Sequence, residues 1–356
     1  MLYFYQSISP HNVEKLHSYL DYFFTQLFAE VNATYDHAHH IHPDFQNIVN
    51  EYPDQIESKL WEIFEEYMIL DDEEKRFAQI AYYSNTDILG ICNNLIRPVK
   101  YDELEDFTST FFKEAVEKFY DELWGDNKIL GYTRVVERCG TVKIHFNDFR
   151  KVNKNSVCPF CGLEGLECEH DDGRDDYDHY LHKSKYPFIS VHFMNLVPMC
   201  HKCNSKNKGQ KDAPFNGVGG QRPIYFPFEN NPNGHSISLS INSTTTDLSI
   251  PTSWTLDIYC QPAANIPKKD TWVDIFNIET RYKARISKDS YHYKDKLIKE
   301  YIKKSTRNGF DFNHFRDDKL DDLEDIYMQK EGIIWKTFHE FVLTDPNFEN
   351  NINGVL

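Results

Sequence analysis

Two cysteine pairs, separated by 38 residues, decide how the centre of this chain folds. Residues 157–165 read VCPFCGLEG, and residues 195–209 read NLVPMCHKCNSKNKG. Two Cys-x-x-Cys turns can place four thiolates around one tetrahedral zinc ion at about 2.3 Å. The sequence therefore predicts a structural zinc with four ligands: Cys158, Cys161, Cys200 and Cys203. The connection is longer than in a compact zinc ribbon, so a folded unit is expected inside it.

Side chains suited to hydrolysis lie inside this connection and just after it. Asp178 and His179 are adjacent on a predicted strand, and Asn195 precedes Leu-Val-Pro. Three more polar candidates follow the last cysteine: Asn204, Lys206 and Lys208. Phosphodiester hydrolysis needs an attacking water, a base and positive charge at the phosphate. A neutral imidazole with a pKa of about 6.5 suits the base, and carboxylate and amide oxygens suit a hard divalent ion.

In this order and spacing, the motifs resemble the HNH (ββα-metal) nuclease family, in its zinc-stapled branch. The matching pieces are Cys158-x-x-Cys161, Tyr177-Asp178-His179, Asn195-Leu196-Val197-Pro198 and Cys200-x-x-Cys203-Asn204-x-Lys206. The three letters of the family name correspond to His179, Asn195 and Asn204. The resemblance implies an endonuclease in which two strands and a helix surround a catalytic ion.

The resemblance also implies a role for each candidate residue. His179 is expected to be the general base, and Asp178 and Asn204 are expected to bind a catalytic Mg²⁺ or Mn²⁺ ion. Asn195 would brace the loop between the strands and orient His179. Either Lys206 or Lys208 would contact the phosphate. The sequence departs from many relatives at His182, which stands where they carry proline.

The amino-acid sequence around the site also resembles that of a narrower group of proteins. Tyr-Asp-His-Tyr-Leu and Asn-Leu-Val-Pro are similar to the HNH subunits of bacterial anti-phage systems, such as Septu, that pair with an ATPase. We therefore expect an ATPase subunit as the protein partner and nucleic acid as the substrate, with DNA favoured over RNA. Three alternatives stay open: a stand-alone restriction-like endonuclease, an RNA or transfer-RNA nuclease, and a zinc-organised scaffold with a silent site.

Charge is distributed unevenly along this acidic chain, whose formal net charge is −17. Residues 1–140 hold 11 basic and 26 acidic residues, whereas residues 141–212 hold 11 basic and 10 acidic ones. Because phosphate contacts require Lys and Arg, the acidity predicts weak DNA binding by the chain alone. A basic partner would remove this difficulty, and the acidic N-terminal region is a candidate docking surface for it.

Hydrophobic periodicity indicates an α+β protein with three domains. Residues 1–150 are predicted to be a helical domain, residues 151–215 the zinc-bound ββα nuclease module, and residues 216–356 a domain of strands followed by helices. No stretch approaches the roughly 18 apolar residues of a membrane span. The N-terminal residues do not resemble a secretory signal, so a cytoplasmic protein without membrane contacts is expected.

Individual elements are predicted from the same patterns. Helices are predicted over residues 10–33, 53–70, 71–83, 102–124 and from 270 to about 342. Strands are predicted over residues 236–260.

Three other groups of residues have the composition of metal ligands. Cys168 and His170 could compete for the zinc, but the second cysteine pair completes the site without them. The acidic run that follows is interpreted as a solvated loop: Asp171, Asp172, Asp175 and Asp176. The tract His37, His39, His40 and His42 has a composition that can bind transition metals. Without a nearby cysteine pattern, we interpret it as a polar loop between helices.

Overall fold

The computed structural model describes residues 1–125, 127–166, 177–229, 234–323, 329–346 and 348–349. Helices dominate the N-terminal and C-terminal parts of the chain, and two separate two-stranded antiparallel sheets lie in the sequence between them. The predicted α+β class is therefore confirmed.

The described residues of the N-terminal part form ten α-helices, besides short 3-10 and π-helical turns. They are α1 (Lys15–Ala29), α2 (His37–His40), α3 (Pro43–Glu51), α4 (Ser58–Met68), α5 (Asp72–Thr86), α6 (Ile88–Cys92), α7 (Tyr101–Phe107), α8 (Thr110–Leu123), α9 (Thr133–Cys139) and α10 (Val142–Val152). A π-helical turn, Pro53–Glu57, precedes α4. The predicted helices over 10–33, 53–70 and 71–83 correspond to α1, α4 and α5.

Helices α4 and α8 pack against each other in the N-terminal core. The buried residues of α8 recur at intervals of three and four, which puts them on one face of the helix. They are Phe112, Ala115, Val116, Phe119, Tyr120 and Leu123. The single helix predicted over 102–124 is wrong, because the Ser109 side chain accepts a hydrogen bond from the Phe112 amide at 3.0 Å and starts a new helix.

The histidine tract is also different from its prediction. Residues His37–His40 form the short helix α2 instead of a loop. The Asp36 side chain caps this helix by accepting a hydrogen bond from the Ala38 amide at 2.9 Å. Aspartate is a favoured N-cap residue because its carboxylate satisfies amides that the first turn leaves free.

Two short strands and a helical turn form the centre of the chain. Strand β1 (Tyr177–His179) pairs antiparallel with β2 (Leu196–Pro198), and Asp178 lies opposite Val197. A 3-10 turn, Phe193–Asn195, leads into β2. A π-helical segment, Lys202–Lys208, follows the second cysteine pair. The strand–strand–helix order agrees with the sequence expectation, while the identity of the unit as a nuclease module stays a prediction.

The C-terminal part begins with a regular hairpin. Strands β3 (Ser236–Asn242) and β4 (Thr255–Gln261) pair antiparallel along their whole length, within the predicted region 236–260 and one residue beyond it. Alternate residues of β3 are buried because strand side chains point to opposite faces. The helices that follow are α11 (Ile266–Phe276), α12 (Ile278–Asn308), α13 (Phe312–Asp322) and α14 (Gly332–Leu343).

Two hydrophobic cores support this arrangement, and both reach the central strands. The N-terminal core includes Tyr177 and Leu196, one from each strand. The C-terminal core includes Val197 and the four paired cysteines, together with Leu2 and Tyr5 from the start of the chain. The N-terminal core therefore crosses the predicted border at residue 150, and the C-terminal core crosses those at residues 150 and 215. The division into three domains stays a prediction.

Some sequence expectations concern residues outside the described ranges. These are Cys168, His170, Asp171, Asp172, Asp175 and Asp176. Among the helices that are described, none has both the length and the apolar character required to cross a membrane.

Two histidines meet where α1 approaches the segment before β2. The ring centroids of His17 and His192 lie 4.4 Å apart. Desolvation lowers the pKa of His17 to about 4 and, together with the neighbouring His17, lowers the pKa of His192 to about 3. Both rings are therefore neutral at pH 7.

We predict that acid weakens this contact. Folding lowers the pKa of both histidines, so below the unfolded value of about 6.5 the unfolded chain binds protons that the folded chain does not. The stability of the fold is therefore unaffected by these two groups above pH 6.5 and decreases as the pH falls toward 4. His17→Phe keeps a ring but cannot be protonated. Between pH 7 and 5.5, its free energy of unfolding should fall by about 1 kcal/mol less than that of the parent, measured by urea denaturation. Equal losses in the two proteins would contradict this.

Candidate active site and metal centre

The four paired cysteines meet in the core. Their sulfur atoms all lie within 4.8 Å of one another, and no residue of the four is more than 2% exposed. The Cys161 and Cys200 Sγ atoms are 3.9 Å apart. Tetrahedral zinc with bonds of about 2.3 Å separates its sulfur ligands by about 3.8 Å. This buried group can therefore bind zinc, as the sequence predicts.

The first cysteine turn has the backbone that a metal-binding turn requires. The Gly162 amide donates to the Cys158 carbonyl at 2.8 Å, and the Leu163 amide donates to Cys161 Sγ at 3.4 Å. Gly162 has a φ of +66°, and a Cβ atom there would lie 2.5 Å from Leu2 Cδ1. The positive φ is the reason that glycine suits this position, since a residue with a side chain would be strained there.

Charge and hydrogen bonds from the C-terminal helices surround the cysteines. Arg281 on α12 donates from Nη1 to Cys203 Sγ at 3.4 Å. The Tyr282 hydroxyl donates to the Cys161 carbonyl at 2.9 Å. Burial raises the pKa of the Cys158 and Cys203 thiols, so a cation is needed to hold four thiolates here. Four sulfur donors fit zinc, because soft thiolate ligands select zinc over hard ions such as Mg²⁺.

A cleft of about 670 Å³ opens beside the central strands. Asp178 and His179 line it from β1, and Asn204 lines it from the π-helical segment. The cleft thus brings together three of the residues that the sequence selects. Their roles in catalysis stay predictions.

His179 is held in one tautomer and one orientation. Its Nε2 atom lies 3.0 Å from the carbonyl oxygen of Ser190, and its ring makes an edge contact with Trp124 at 5.1 Å between centroids. A carbonyl only accepts hydrogen bonds, so Nε2 carries the proton and Nδ1 carries the free electron pair. Burial lowers the pKa of His179 to about 3, against a smaller opposing effect of the Ser190 bond, and nearby Lys183 and Lys208 lower it further.

Asp178 and Lys208 form a buried ion pair. The Lys208 Nζ atom lies 2.9 Å from Asp178 Oδ2 and 3.2 Å from Oδ1, and it donates to the His179 carbonyl at 2.9 Å. Lys208 is 1% exposed and Asp178 is 6% exposed. Desolvation raises the pKa of Asp178 and lowers that of Lys208, because burial penalises both charges more than their attraction repays.

This ion pair distinguishes Lys208 from Lys206, although the sequence predicts either one as the phosphate contact. Lys208 points into the protein and holds Asp178, whereas Lys206 is exposed. In this conformation, Lys206 is the one of the two that a phosphate can reach.

Asn195 is fully buried between the strands. Its side chain accepts from the Leu181 amide at 2.7 Å and donates to the Leu181 carbonyl at 2.9 Å. The loop that begins at Leu181 also carries Ser190, which fixes His179. Asn195 therefore holds both backbone groups of Leu181, and its role in orienting His179 stays a prediction.

Sequence reasoning missed three residues that line the same cleft. Trp124 comes from the end of α8, and nothing in its local sequence indicates that it contacts His179. Lys183 could have been selected, since it is a basic residue four positions after His179. His182 departs from many relatives, and its place three residues after His179 also predicts an influence on the pKa of His179, which it lowers. Its Nε2 donates to the Lys211 carbonyl at 2.9 Å, and burial lowers its pKa to about 4.

Known proteins are similar to this chain over part of its length. Over 65 residues it is 39% identical to protein ea31 of Escherichia phage lambda. The matched segment covers 18% of this chain and 20% of that protein. Over 83 residues it is 32% identical to the Septu protein PtuB of Bacillus thuringiensis. This segment covers 23% of this chain and 28% of that protein. No protein-family model matches, and no solved structure matches. The similarity spans less than a third of either relative.

Proposed function

We propose that this chain is a metal-dependent endonuclease of the HNH type that hydrolyses phosphodiester bonds, with DNA favoured over RNA. The observation that carries the proposal is the tautomer of His179. With its Nε2 proton donated to Ser190, the ring offers Nδ1 as a base beside an open cleft. The neutral imidazole keeps its Nδ1 electron pair free to accept a proton from an attacking water, and its lowered pKa makes it a weaker base than an exposed histidine.

The same cleft has the oxygen donors that a hard divalent ion prefers. Asp178 supplies a carboxylate and Asn204 an amide oxygen, and these two residues would hold Mg²⁺ or Mn²⁺. When bound, the ion supplies positive charge for the phosphate and the leaving oxygen. Because Lys208 pairs with both oxygens of Asp178, the ammonium group and the ion compete for one carboxylate.

The surrounding residues position the base and the substrate. Asn195 holds both backbone groups of Leu181 and thereby the loop that carries Ser190. Lys183 lies on the cleft wall, and Lys206 is exposed on the following helical segment. These two lysines are the groups that would meet the phosphates of a nucleic acid.

Zinc in the four-cysteine group is the structural part of the proposal. The ion would join the turn before β1 to the turn after β2, so that the π-helical segment carrying Asn204 stays next to Asp178. A unit of this size buries too little apolar surface to hold such elements together without a metal or neighbouring domains.

A role in anti-phage defence with an ATPase partner is the biological part of the proposal. Its support is the partial similarity to the Septu protein PtuB. The excess of acidic residues over positions 1–140 favours docking of a basic protein surface there. A stand-alone restriction-like endonuclease, an RNA or transfer-RNA nuclease and a silent scaffold are the alternatives, and cleavage assays with and without the partner distinguish them.

The first test is cleavage of plasmid DNA with Mg²⁺ or Mn²⁺, with RNA in parallel and with the candidate ATPase added or omitted. His179→Ala should slow cleavage by about 10²- to 10⁴-fold, because it removes the general base. His292→Ala, which replaces an exposed histidine on α12, is the matched control and should cut like the parent. The proposal fails if the parent cuts nothing under any of these conditions, or if His179→Ala cuts at the parental rate.

A second test counts zinc by mass spectrometry of the purified protein. Cys161→Ser should contain one equivalent of zinc less than the parent and should unfold at lower temperature, because one of four thiolate ligands is lost. Cys139→Ser alters a buried cysteine outside the group and should keep the parental zinc content. The same zinc content in Cys161→Ser and in the parent would rule out this site.

A third test separates Lys206 from Lys208. Lys206→Met should weaken DNA binding and reduce the salt dependence by about one phosphate contact, with little change in stability. Lys208→Met should lower the free energy of unfolding by about 3–5 kcal/mol, because Asp178 is left buried without its partner. Fluorescence anisotropy in a His179→Ala background and urea denaturation measure the two effects. A stability loss in Lys206→Met with none in Lys208→Met would contradict the assignment.

A further inference from the structure

A second group of metal-ligand type lies on the N-terminal helices. Glu30 is the C-cap residue of α1, and His39 and His40 belong to α2. A carboxylate oxygen and two imidazole nitrogens from these residues lie within 4.8 Å of one another. We propose that Glu30, His39 and His40 bind a divalent transition-metal ion, with Zn²⁺ preferred, at a site separate from the four-cysteine group.

The distances suit a single ion. Glu30 Oε1 lies 3.0 Å from His39 Nε2 and 3.8 Å from His40 Nε2. Zinc bonds to nitrogen and oxygen measure about 2.0–2.1 Å, so tetrahedral ligand atoms are about 3.3 Å apart. The two distances lie on either side of this value, and small side-chain rotations bring the three atoms to one ion.

The buried His40 ring gives the strongest indication of a ligand. The residue is 1% exposed, and its Nε2 atom finds no hydrogen-bond partner anywhere in the described part of the chain. Its Nδ1 atom lies 2.8 Å from the Asp36 carbonyl oxygen. Metal-bound histidines usually donate their second ring nitrogen to such a carbonyl, which leaves the first nitrogen free to bind the ion.

The other tautomer of His40 does not satisfy the ring either. Nδ1 would then accept from the Asp36 amide at 3.0 Å, and Nε2 would carry the proton. The nearest carboxylate, Glu30, is 3.8 Å away and beyond hydrogen-bond distance. The His39–Glu30 contact alone could be an ordinary hydrogen bond, but it leaves His40 Nε2 unexplained. An ion satisfies all three groups at once.

Two aromatic rings hold His40 in place. Tyr35 stacks on it with a centroid distance of 5.4 Å and an interplanar angle of 15°, and Phe64 contacts it edge-on at 4.7 Å. A ligand whose orientation is fixed by packing loses little freedom when the ion binds. The site is therefore preorganised on its buried side.

The other side of the site is open to solvent. The His39 side chain is 50% exposed and that of Glu30 is 25% exposed, so an ion can enter past them. Three protein ligands leave at least one position for water. Two imidazoles and one carboxylate favour Zn²⁺ over Mg²⁺, which prefers oxygen ligands and keeps its water shell.

The experiment counts zinc bound to the full-length protein and titrates it with Zn²⁺ alone, by mass spectrometry and calorimetry. At saturation the parent should hold two equivalents of zinc, and Cys161→Ser and His39→Ala should each hold one. Glu30→Gln should bind the second equivalent at least tenfold more weakly. Added Zn²⁺ should raise the melting temperature of the parent but not that of His39→Ala.

The matched control is His42→Asn in the same histidine tract. His42 lies outside the group and accepts a hydrogen bond from the Asp44 amide at the start of α3, which asparagine can also do. This variant should bind zinc like the parent. The proposal is overturned if the parent binds only the equivalent that Cys161→Ser removes, or if the second equivalent is unchanged in both His39→Ala and Glu30→Gln. Neither result depends on nuclease activity.

Discussion

The burial of four sulfur atoms within 4.8 Å of one another is the constraint on which the rest of the structure depends. Thiols removed from water are held together as thiolates only when a cation is shared among them. The turn between Cys158 and Cys161 also receives hydrogen bonds from Trp272 and Tyr282 of the C-terminal helices. The cysteine group therefore joins the central strands to the helices that follow them.

Burial also sets the electrostatics of the cleft. It keeps the His179 imidazole neutral and directs Lys208 toward Asp178 instead of toward solvent. The same effect acts on both groups, since it favours the uncharged form of the histidine and removes the lysine from the surface. Positive charge in and near the cleft then includes the half-buried Lys183, whose Nζ atom lies 3.9 Å from Asp121 Oδ1, and the exposed Lys206.

Local spacing made the four-cysteine group, the strand with Asp178 and His179, and the α+β class predictable from the sequence. The contacts of His179 with Trp124 and Ser190 could not be predicted, because they arise from packing between distant segments and from a backbone carbonyl. Two lysines two residues apart look alike in a sequence, and only the winding of the helical segment separates them. The sequence predicts a loop for the histidine tract, because the Asp36 cap of α2 and the contact of His39 with Glu30 are recognisable only in three dimensions.

The cysteine turn and the strands are supported from both ends of the chain, which has a consequence for synthesis on the ribosome. The Tyr5 hydroxyl donates to the Pro198 carbonyl at 2.8 Å, and Trp272 donates to the Phe160 carbonyl at the same distance. The N-terminal helices emerge first, but their core also includes Tyr177 and Leu196, which are synthesised later. The turn between Cys158 and Cys161 gains its contacts with Trp272 and Tyr282 only after α11 and the start of α12 have left the exit tunnel, so a nascent chain lacks this support for the cysteine group until then.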